Sequence, residues 1–167
     1  MKQEGERPFI SIFRSPRERG FTLVEIMIVI SLIIVIASLV VPFALRARAQ
    51  SNQAATIGNL RTVSSAAESY RNAMNPPAYP VSLDEMVNSS PSYLDSAWSS
   101  NERQGYRYNY VVAGDRETYS LTANPRVANI SGVDSFCVDH SNVIRIYAAP
   151  ASASGTPRGC DASGDPI

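Results

Sequence analysis

The stretch FTLVEIMIVISLIIVIASLVVPFAL, residues 21–45, decides the fold of this protein. Glu25 is its only charged side chain, and the twenty residues of 26–45 carry no charge at all. About 20 apolar residues, each rising 1.5 Å along a helix, span a hydrocarbon core of about 30 Å. The stretch therefore predicts a transmembrane helix over residues 21–45 that holds one acid near its start.

The charges that flank this stretch predict its orientation. Residues 1–20 contain five Lys or Arg against three Glu, whereas only Arg46 and Arg48 follow the apolar run closely. Cytoplasmic flanks are enriched in Lys and Arg. We expect the N-terminus to stay in the cytoplasm and the C-terminal part to cross the membrane.

A cleaved secretory signal peptide is the alternative interpretation of the apolar run. The letters ARAQ at 47–50 provide an A-x-A site, after which the mature chain would begin at Gln50. The apolar core of a signal peptide is about 7–15 residues long, which is shorter than the run found here. A discarded peptide would also have no use for an acid near its start, so a retained helix is favoured.

The residues Gly20-Phe21-Thr22-Leu23-Val24-Glu25 follow a short basic leader and open the long apolar helix. This arrangement resembles the type IV prepilin signature, shared by pilus subunits and the pseudopilins of type II secretion. The resemblance implies that residues 1–20 are a leader, which a membrane-embedded aspartic prepilin peptidase removes between Gly20 and Phe21. It also implies that the same enzyme N-methylates Phe21.

Glu25 needs a partner, because a carboxylate inside a membrane is costly and intramembrane acids are usually functional. Cleavage after Gly20 would create a positive amine on Phe21, one helical turn away. Glu25 could pair with its own amine, close to the positive end of the helix dipole. The resemblance implies instead a pair with the Phe21 amine of a neighbouring subunit in a filament, which would fix the axial register of the two helices.

Pro42 interrupts the apolar helix. Many members of the family carry a glycine inside this segment, but residues 31–41 contain none, and Pro42 matches a frequent position in the family. Proline removes one backbone N–H and clashes with the carbonyl four residues earlier, that of Ser38. We expect a kink or local melting near Pro42. The alternative is a simple helix kink without functional melting.

Residues 46–74 continue the helix with an amphipathic pattern. Apolar side chains recur at spacings of three and four, which predicts one face packed on a globular head. They are Ile57, Leu60, Val63, Ala67, Tyr70 and Met74. A parallel coiled coil is the competing interpretation, but Ala and Ser dominate the stripe and flanking charges are sparse.

Residues 75–167 predict a small antiparallel head. The letters NPPAYP at 75–80 stop the helix, and SLDE at 82–85 forms a capping box that begins a short helix reaching about Val87. Alternating apolar residues separated by turns then predict four strands at 105–112, 118–123, 135–139 and 143–147. The whole is an α+β fold in which a long N-terminal helix packs on an antiparallel meander, followed by a loop-like tail.

The two cysteines, Cys137 and Cys160, predict one disulfide if the head lies outside the cytoplasm. The bridge would tie the tail to the sheet, as in the pinned C-terminal loop that this region resembles in many pilins. Two separate thiols in a cytosolic protein are the alternative.

The sequence offers no catalytic or metal-binding pattern. His140 lies alone in a predicted turn, so we expect a solvated residue rather than a zinc ligand. Asp161 and Asp165, with Asp134 or Asp139, present oxygens that suit calcium, and major pseudopilins bind calcium in their heads. No EF-hand spacing supports this site, so we expect no cofactor and keep calcium as an alternative.

The tyrosines of the first predicted strand, Tyr106, Tyr108 and Tyr110, are expected in the core. They are not interleaved with basic clusters, as a stacking surface for nucleic acid would be. Residues 21–167 also carry ten positive and twelve negative side chains. We therefore do not expect the protein to bind nucleic acid.

Together the residues and the resemblance predict a structural filament subunit without catalytic activity. It would be held in the inner membrane, processed by prepilin peptidase, and polymerised by an assembly platform into a homo-oligomeric periplasmic or extracellular filament. One alternative is a minor pilin at the filament tip or in priming. The other is a monomeric inner-membrane anchor whose periplasmic head binds a partner.

Overall fold

The computed structural model describes residues 20–167, so most of the predicted leader lies outside the described residues. Its longest element is helix α1, Leu23–Ala73, of 51 residues. The helix stays helical through Pro42 and ends two residues before the sequence NPPAYP begins. The residues divide into two compact units, one ending at Leu39 and one comprising Val40–Ile167.

The C-terminal half of α1 buries the predicted apolar stripe against the head. Leu60, Val63 and Ala67 are fully covered and Tyr70 almost so, while Ile57 and Met74 pack at the margin of the same core. The helical spacing of these residues is therefore confirmed as the face that binds the head.

Two polar residues of α1 are also buried, which the hydrophobic pattern did not predict. Thr56 is fully covered, and its hydroxyl lies 3.4 Å from the Tyr108 hydroxyl. Ser64 is buried as well, with its Oγ 3.1 Å from the Tyr119 hydroxyl. Hydroxyls are accepted at these positions because tyrosines of the sheet give them hydrogen-bond partners.

The head within residues 40–167 contains one six-stranded antiparallel sheet in the order β1-β2-β3-β4-β5-β8. The four predicted strands are present, one with the predicted bounds and three with bounds shifted by at most two residues. Short strands extend the sheet at both edges, and strands β6 and β7 form a separate small hairpin. The strands are β1 Glu102–Arg103, β2 Tyr106–Val112, β3 Tyr119–Pro125, β4 Ser135–Asp139, β5 Ile144–Tyr147, β6 Gly155–Thr156, β7 Gly159–Cys160 and β8 Asp165–Pro166.

The prediction that the tail is only a loop is wrong. Its last strand, β8, pairs with β5 and closes that edge of the sheet. Side chains of β5 hold the tail in place: the Tyr147 hydroxyl donates to the Asp161 carbonyl at 2.6 Å, and Arg145 Nη1 donates to the Gly164 carbonyl at 3.0 Å. The composition of the tail gave no sign of these contacts, because β5 supplies the donors.

The predicted disulfide is confirmed. Cys137 in β4 is fully buried and bonded to Cys160 in β7, with the two Cα atoms 5.9 Å apart. Asp139 supports the same junction, because its Oδ2 accepts the Cys160 N–H at 2.9 Å. The bridge thus joins the central part of the sheet to the tail.

The short helix α2, Leu83–Asn88, begins as predicted at Ser82, whose Oγ accepts the Glu85 N–H at 3.2 Å. The second half of the predicted capping box differs, since the Glu85 carboxylate accepts the N–H of Val81 rather than that of Ser82. A 3₁₀ helix, Ser96–Ser99, follows and buries Trp98. Glu85 reaches past the cap because other donors also converge on it.

Those donors connect three parts of the head. The Tyr70 hydroxyl, on α1, donates to Glu85 Oε1 at 2.7 Å, and Arg116 Nη2 lies 3.4 Å from the same oxygen. Arg116, in the β2–β3 turn, also donates from Nε to the Tyr79 carbonyl at 2.6 Å. This Tyr70–Glu85–Arg116 cluster holds the segment after α1 against the sheet.

We predict that removing the disulfide destabilises the head. A Cys137→Ala/Cys160→Ala double variant should unfold with a free energy lower by about 3 kcal/mol, because the bridge restrains a 23-residue separation in the unfolded chain. Denaturant titration of the full chain in detergent micelles, followed by circular dichroism, measures this. The wild type under reducing conditions should behave like the variant, and identical midpoints with and without reductant would contradict the prediction.

A second prediction concerns pH. Burial alone raises the pKa of Glu85, but the Tyr70 hydroxyl, the Val81 N–H and Arg116 together lower the pKa below its usual value. A carboxyl with a lowered pKa in the folded state contributes stability above its unfolded pKa, about 4.3, and loses it as the pH falls.

Glu85→Gln should therefore lower the free energy of unfolding by about 1 kcal/mol at pH 7, and the difference from wild type should shrink below about pH 4.5. Unfolding curves at pH 7 and pH 3.5 provide the measurement. Glu117→Gln, an exposed acid beside Arg116, is the matched control and should change neither value. A Glu85→Gln difference that is the same at both pH values would refute the role of the charge.

Candidate processing and assembly site

Thr22 immediately precedes α1 and caps its N-terminus. The helix starts at Leu23, and the Thr22 hydroxyl accepts the Glu25 N–H at 3.1 Å, while its carbonyl accepts the Ile26 N–H at 3.2 Å. Thr22 thus has the contacts of an N-cap residue, and it satisfies a backbone donor that has no partner within the helix. The pattern T-x-x-E at residues 22–25 is a capping-box sequence that could have revealed this cap from the sequence.

Gly20 and Phe21 precede the helix and are exposed, with Phe21 78% accessible. A Cβ placed on Gly20 would meet no atom of the described residues within 4 Å. Packing among residues 20–167 therefore gives no reason for a glycine at this position. Exposure and the missing side chain leave the backbone at Gly20 open to close approach by another molecule.

Glu25 lies in the first turn of α1 with its side chain exposed. Within residues 20–167 its carboxylate has no hydrogen bond or ion pair, and only its backbone N–H is held, by Thr22. The negative charge is favoured by the positive end of the helix dipole. Phe21 and Glu25 flank the capped turn, four residues apart in sequence.

The helix that follows is apolar around its whole circumference. The segment meets the length and hydropathy expected of a membrane span, and none of its most apolar part is buried within the chain. Its two serines are internally satisfied, since Ser31 Oγ donates to the Met27 carbonyl and Ser38 Oγ to the Val35 carbonyl, both at 2.7 Å. Such hydroxyls are compatible with lipid contact because they leave no donor free.

Pro42 lies inside the continuous helix, so no local melting is present near it. Proline cannot donate to the Ser38 carbonyl, and a bend at this position stays a prediction.

The predicted tyrosine face of β2 is part of the core. Tyr106 and Tyr108 are buried and Tyr110 is half-buried. Burial raises the pKa of Tyr106 to about 12 and that of Tyr119, on the next strand, to about 12. These phenols therefore stay protonated near neutral pH and serve as hydrogen-bonding groups of the core.

Three of the acids proposed for calcium accept hydrogen bonds from protein donors. Asp139 accepts the Ser141 N–H at 2.9 Å in its own turn, Asp161 accepts the Ser163 N–H at 3.2 Å, and Asp134 accepts Gln53 Nε2 at 3.1 Å. No group of three or more metal-binding side chains forms among residues 20–167. His140 is exposed in the turn after β4, as predicted.

Comparisons with known proteins point to the same N-terminal element. Residues 15–41 match the family model described as the prokaryotic N-terminal methylation motif. The chain is also 30% identical over 111 residues to the type IV major pilin protein PilA of Myxococcus xanthus (strain DK1622). That alignment covers 66% of this chain and 46% of PilA, so the chain matches less than half the length of this relative. No solved structure gives a significant match.

The methylation motif lies where the structure places an exposed Gly20-Phe21 pair, a capped helix start and an apolar span, and the similarity to PilA extends into the rest of the chain. The pilin family is structural rather than enzymatic. The motif and the similarity together identify the chain as a type IV pilin-like protein.

Proposed function

We propose that this protein is the subunit of a type IV pilus-like filament, assembled through α1 after removal of residues 1–20. The observation that carries the proposal is the combination of a single acid, Glu25, with a helix that is apolar on every side. A helix of this kind is stable only when lipid or other helices cover it. In the membrane lipid covers it, and in a filament other copies of the same helix take over that role.

Glu25 acts in this proposal as an alignment device between copies. In an apolar bundle a carboxylate without a partner costs several kcal/mol, whereas a carboxylate that meets an ammonium group is stable at one axial offset only. Processing after Gly20 generates the required ammonium on Phe21. The absence of an internal partner for Glu25 within residues 20–167 supports a partner on another chain.

A pilus is favoured over a type II secretion pseudopilus by two observations. The relative matched over 66% of the chain is a major pilin, and the disulfide fixes the C-terminal tail as in the pinned loop of pilins. A minor pilin and a monomeric anchor are the competing functions. A monomeric anchor gives no reason for Glu25 or for an exposed glycine at the helix start.

We predict that Gly20→Glu blocks processing. Coexpressed with a prepilin peptidase, the wild type should lose residues 1–20 and start at N-methylated Phe21, whereas the variant should keep its full mass. Intact-mass spectrometry of the membrane fraction measures both. Gly58→Ala is the matched control, because a Cβ there also meets open space and lies far from the cleavage site. A normally trimmed Gly20→Glu chain would contradict the cleavage site.

We also predict that Glu25→Gln inserts and is processed normally but assembles poorly. The variant leaves the Phe21 amine without its partner, a penalty of about 3 kcal/mol or more per subunit, which corresponds to at least about a hundredfold loss in assembly affinity. Electron microscopy and quantification of sheared filaments measure the result. Ser31→Ala, which alters a hydroxyl satisfied within the same helix, should assemble like wild type. Normal filament yield from Glu25→Gln would rule out the intersubunit pair.

A further inference from the structure

The loop between β3 and β4, residues 126–134 with the sequence RVANISGVD, packs on α1 just beyond its apolar run. Asn52 Nδ2 donates to the Ser131 carbonyl at 2.8 Å, and Gln53 Nε2 donates to Asp134 Oδ2 at 3.1 Å. Ala49 is only 3% accessible, although the helix residues on either side of it are exposed. The loop therefore packs against α1 at residues 49–53.

Internal contacts fix the shape of this loop. Ser131 Oγ lies 3.0 Å from both the N–H and the carbonyl of Val127, and the Asn129 N–H donates to the Gly132 carbonyl at 2.9 Å. Gly132 lies against the Tyr106 ring so closely that a Cβ would be 2.0 Å from the hydroxyl oxygen. A loop restrained in this way presents its side chains in a fixed arrangement.

The side chains that the loop presents are apolar and exposed. Val127, Ile130 and Val133 are 48%, 58% and 40% accessible. Six large apolar side chains are exposed between residues 46 and 167, and these three are half of them although the loop has nine residues. Burial among residues 20–167 does not account for them, and exposed apolar clusters mark contact surfaces.

The cluster lies next to the end of the predicted membrane span. Ile130 and Leu45 line one cleft, and Val133 lines a second one together with Arg46 and Ala49. Leu45 is the last residue of the apolar run. Ala49 follows it by four residues, which corresponds to about 6 Å along the helix axis. The polar headgroup region of a bilayer is about 5–8 Å thick on each side. With Leu45 at the edge of the hydrocarbon core, the loop lies within this headgroup region.

We propose that loop 126–134 binds the outer face of the membrane in which α1 is anchored, with Val127, Ile130 and Val133 inserted into the interfacial zone. The proposal rests on the membrane-anchored state of the proposed function and does not require polymerisation. Apolar side chains beside a membrane helix gain from this zone in the same way as those of an interfacial helix. The loop would thereby hold the head at the membrane before assembly.

The charges around the loop favour a lipid surface over a second copy. Arg46 and Arg48 are exposed, and in the described part of the chain neither forms an ion pair, so both can bind lipid phosphates. Arg126 is paired with Glu102 at 3.4 Å, and Asp134 accepts hydrogen bonds from the head and from Gln53. Two copies that pack through this same face would bring like charges together, which disfavours that contact.

The test uses the full chain inserted in vesicles of phosphatidylethanolamine and phosphatidylglycerol, with and without dibrominated acyl chains that quench tryptophan. Ile130→Trp places a probe on the loop. Val81→Trp is the matched control, since Val81 is equally apolar, 55% accessible and follows the far end of α1. That end, at Ala73, is about 42 Å along the helix from Leu45. The native Trp98 is buried and gives the same background in both variants.

The brominated lipid should quench Ile130→Trp severalfold more than Val81→Trp, and the quenching should not change when the protein is diluted in lipid. Equal quenching of the two variants would overturn the membrane contact. Protection of Ile130→Trp that appears only at high protein density would assign the loop to a second copy and also overturn it. Vesicle flotation of the same samples separates the two proposals: chains that do not float would refute the anchored state and this inference together, whereas floating chains without loop quenching would refute the inference alone.

Discussion

The structure depends on one constraint: the first half of α1 has no polar face and is not covered by residues 20–167, so it needs another apolar surface around it. Residues 23–45 are exposed along their whole length, and their serine hydroxyls are already used within the helix. Lipid satisfies this constraint for a single chain, and other copies satisfy it for a filament. The constraint also bears on Glu25, because in the proposed function a charge on a surface covered by lipid or by apolar helices needs a counter-charge within that covered surface.

The second half of α1 has a different requirement. It must pack on one particular sheet, whereas the first half can be covered by any apolar surroundings. Its apolar stripe supplies most of the buried surface, and pairs of hydroxyl groups fix how the helix is positioned on the sheet. Thr56 meets Tyr108, Ser64 meets Tyr119, and Asn59 donates to the Tyr108 hydroxyl at 3.0 Å. Each contact is satisfied only in one register of the helix on the sheet, because a small shift would leave a buried polar group without a partner. One helix thus combines an unspecific apolar surface with a specific one.

The sequence was sufficient to predict the features that depend on strong periodicity or on special residue types. The apolar run, the stripe from Leu60 to Tyr70, the four central strands and the Cys137–Cys160 bridge were all predictable, because each has a local pattern. The edge strand β8, the buried Thr56 and the Tyr70–Glu85–Arg116 cluster were not. In each case the contact that decides the structure comes from another part of the chain. Tyr147 and Arg145 hold the tail by hydrogen bonds, and the Tyr108 hydroxyl gives Thr56 a partner. Arg116 pairs with Glu85, whose carboxylate does not accept the Ser82 N–H. The start of α1 differs, because the local T-x-x-E pattern at residues 22–25 is enough to predict the Thr22 cap.

Contacts within the described residues explain some of the special side chains of this protein and leave others unexplained. Gly132 is required by packing, because Tyr106 occupies the space of a side chain, and Glu85 is required by its three donors. Gly20 and Glu25 have no such justification among the described residues, since a side chain would fit at the first and the carboxylate of the second has no partner. Both also lie in the segment that matches the methylation motif. The proposed function gives a reason for both residues, because it requires cleavage at the glycine by another protein and contact of the acid with another copy of the chain.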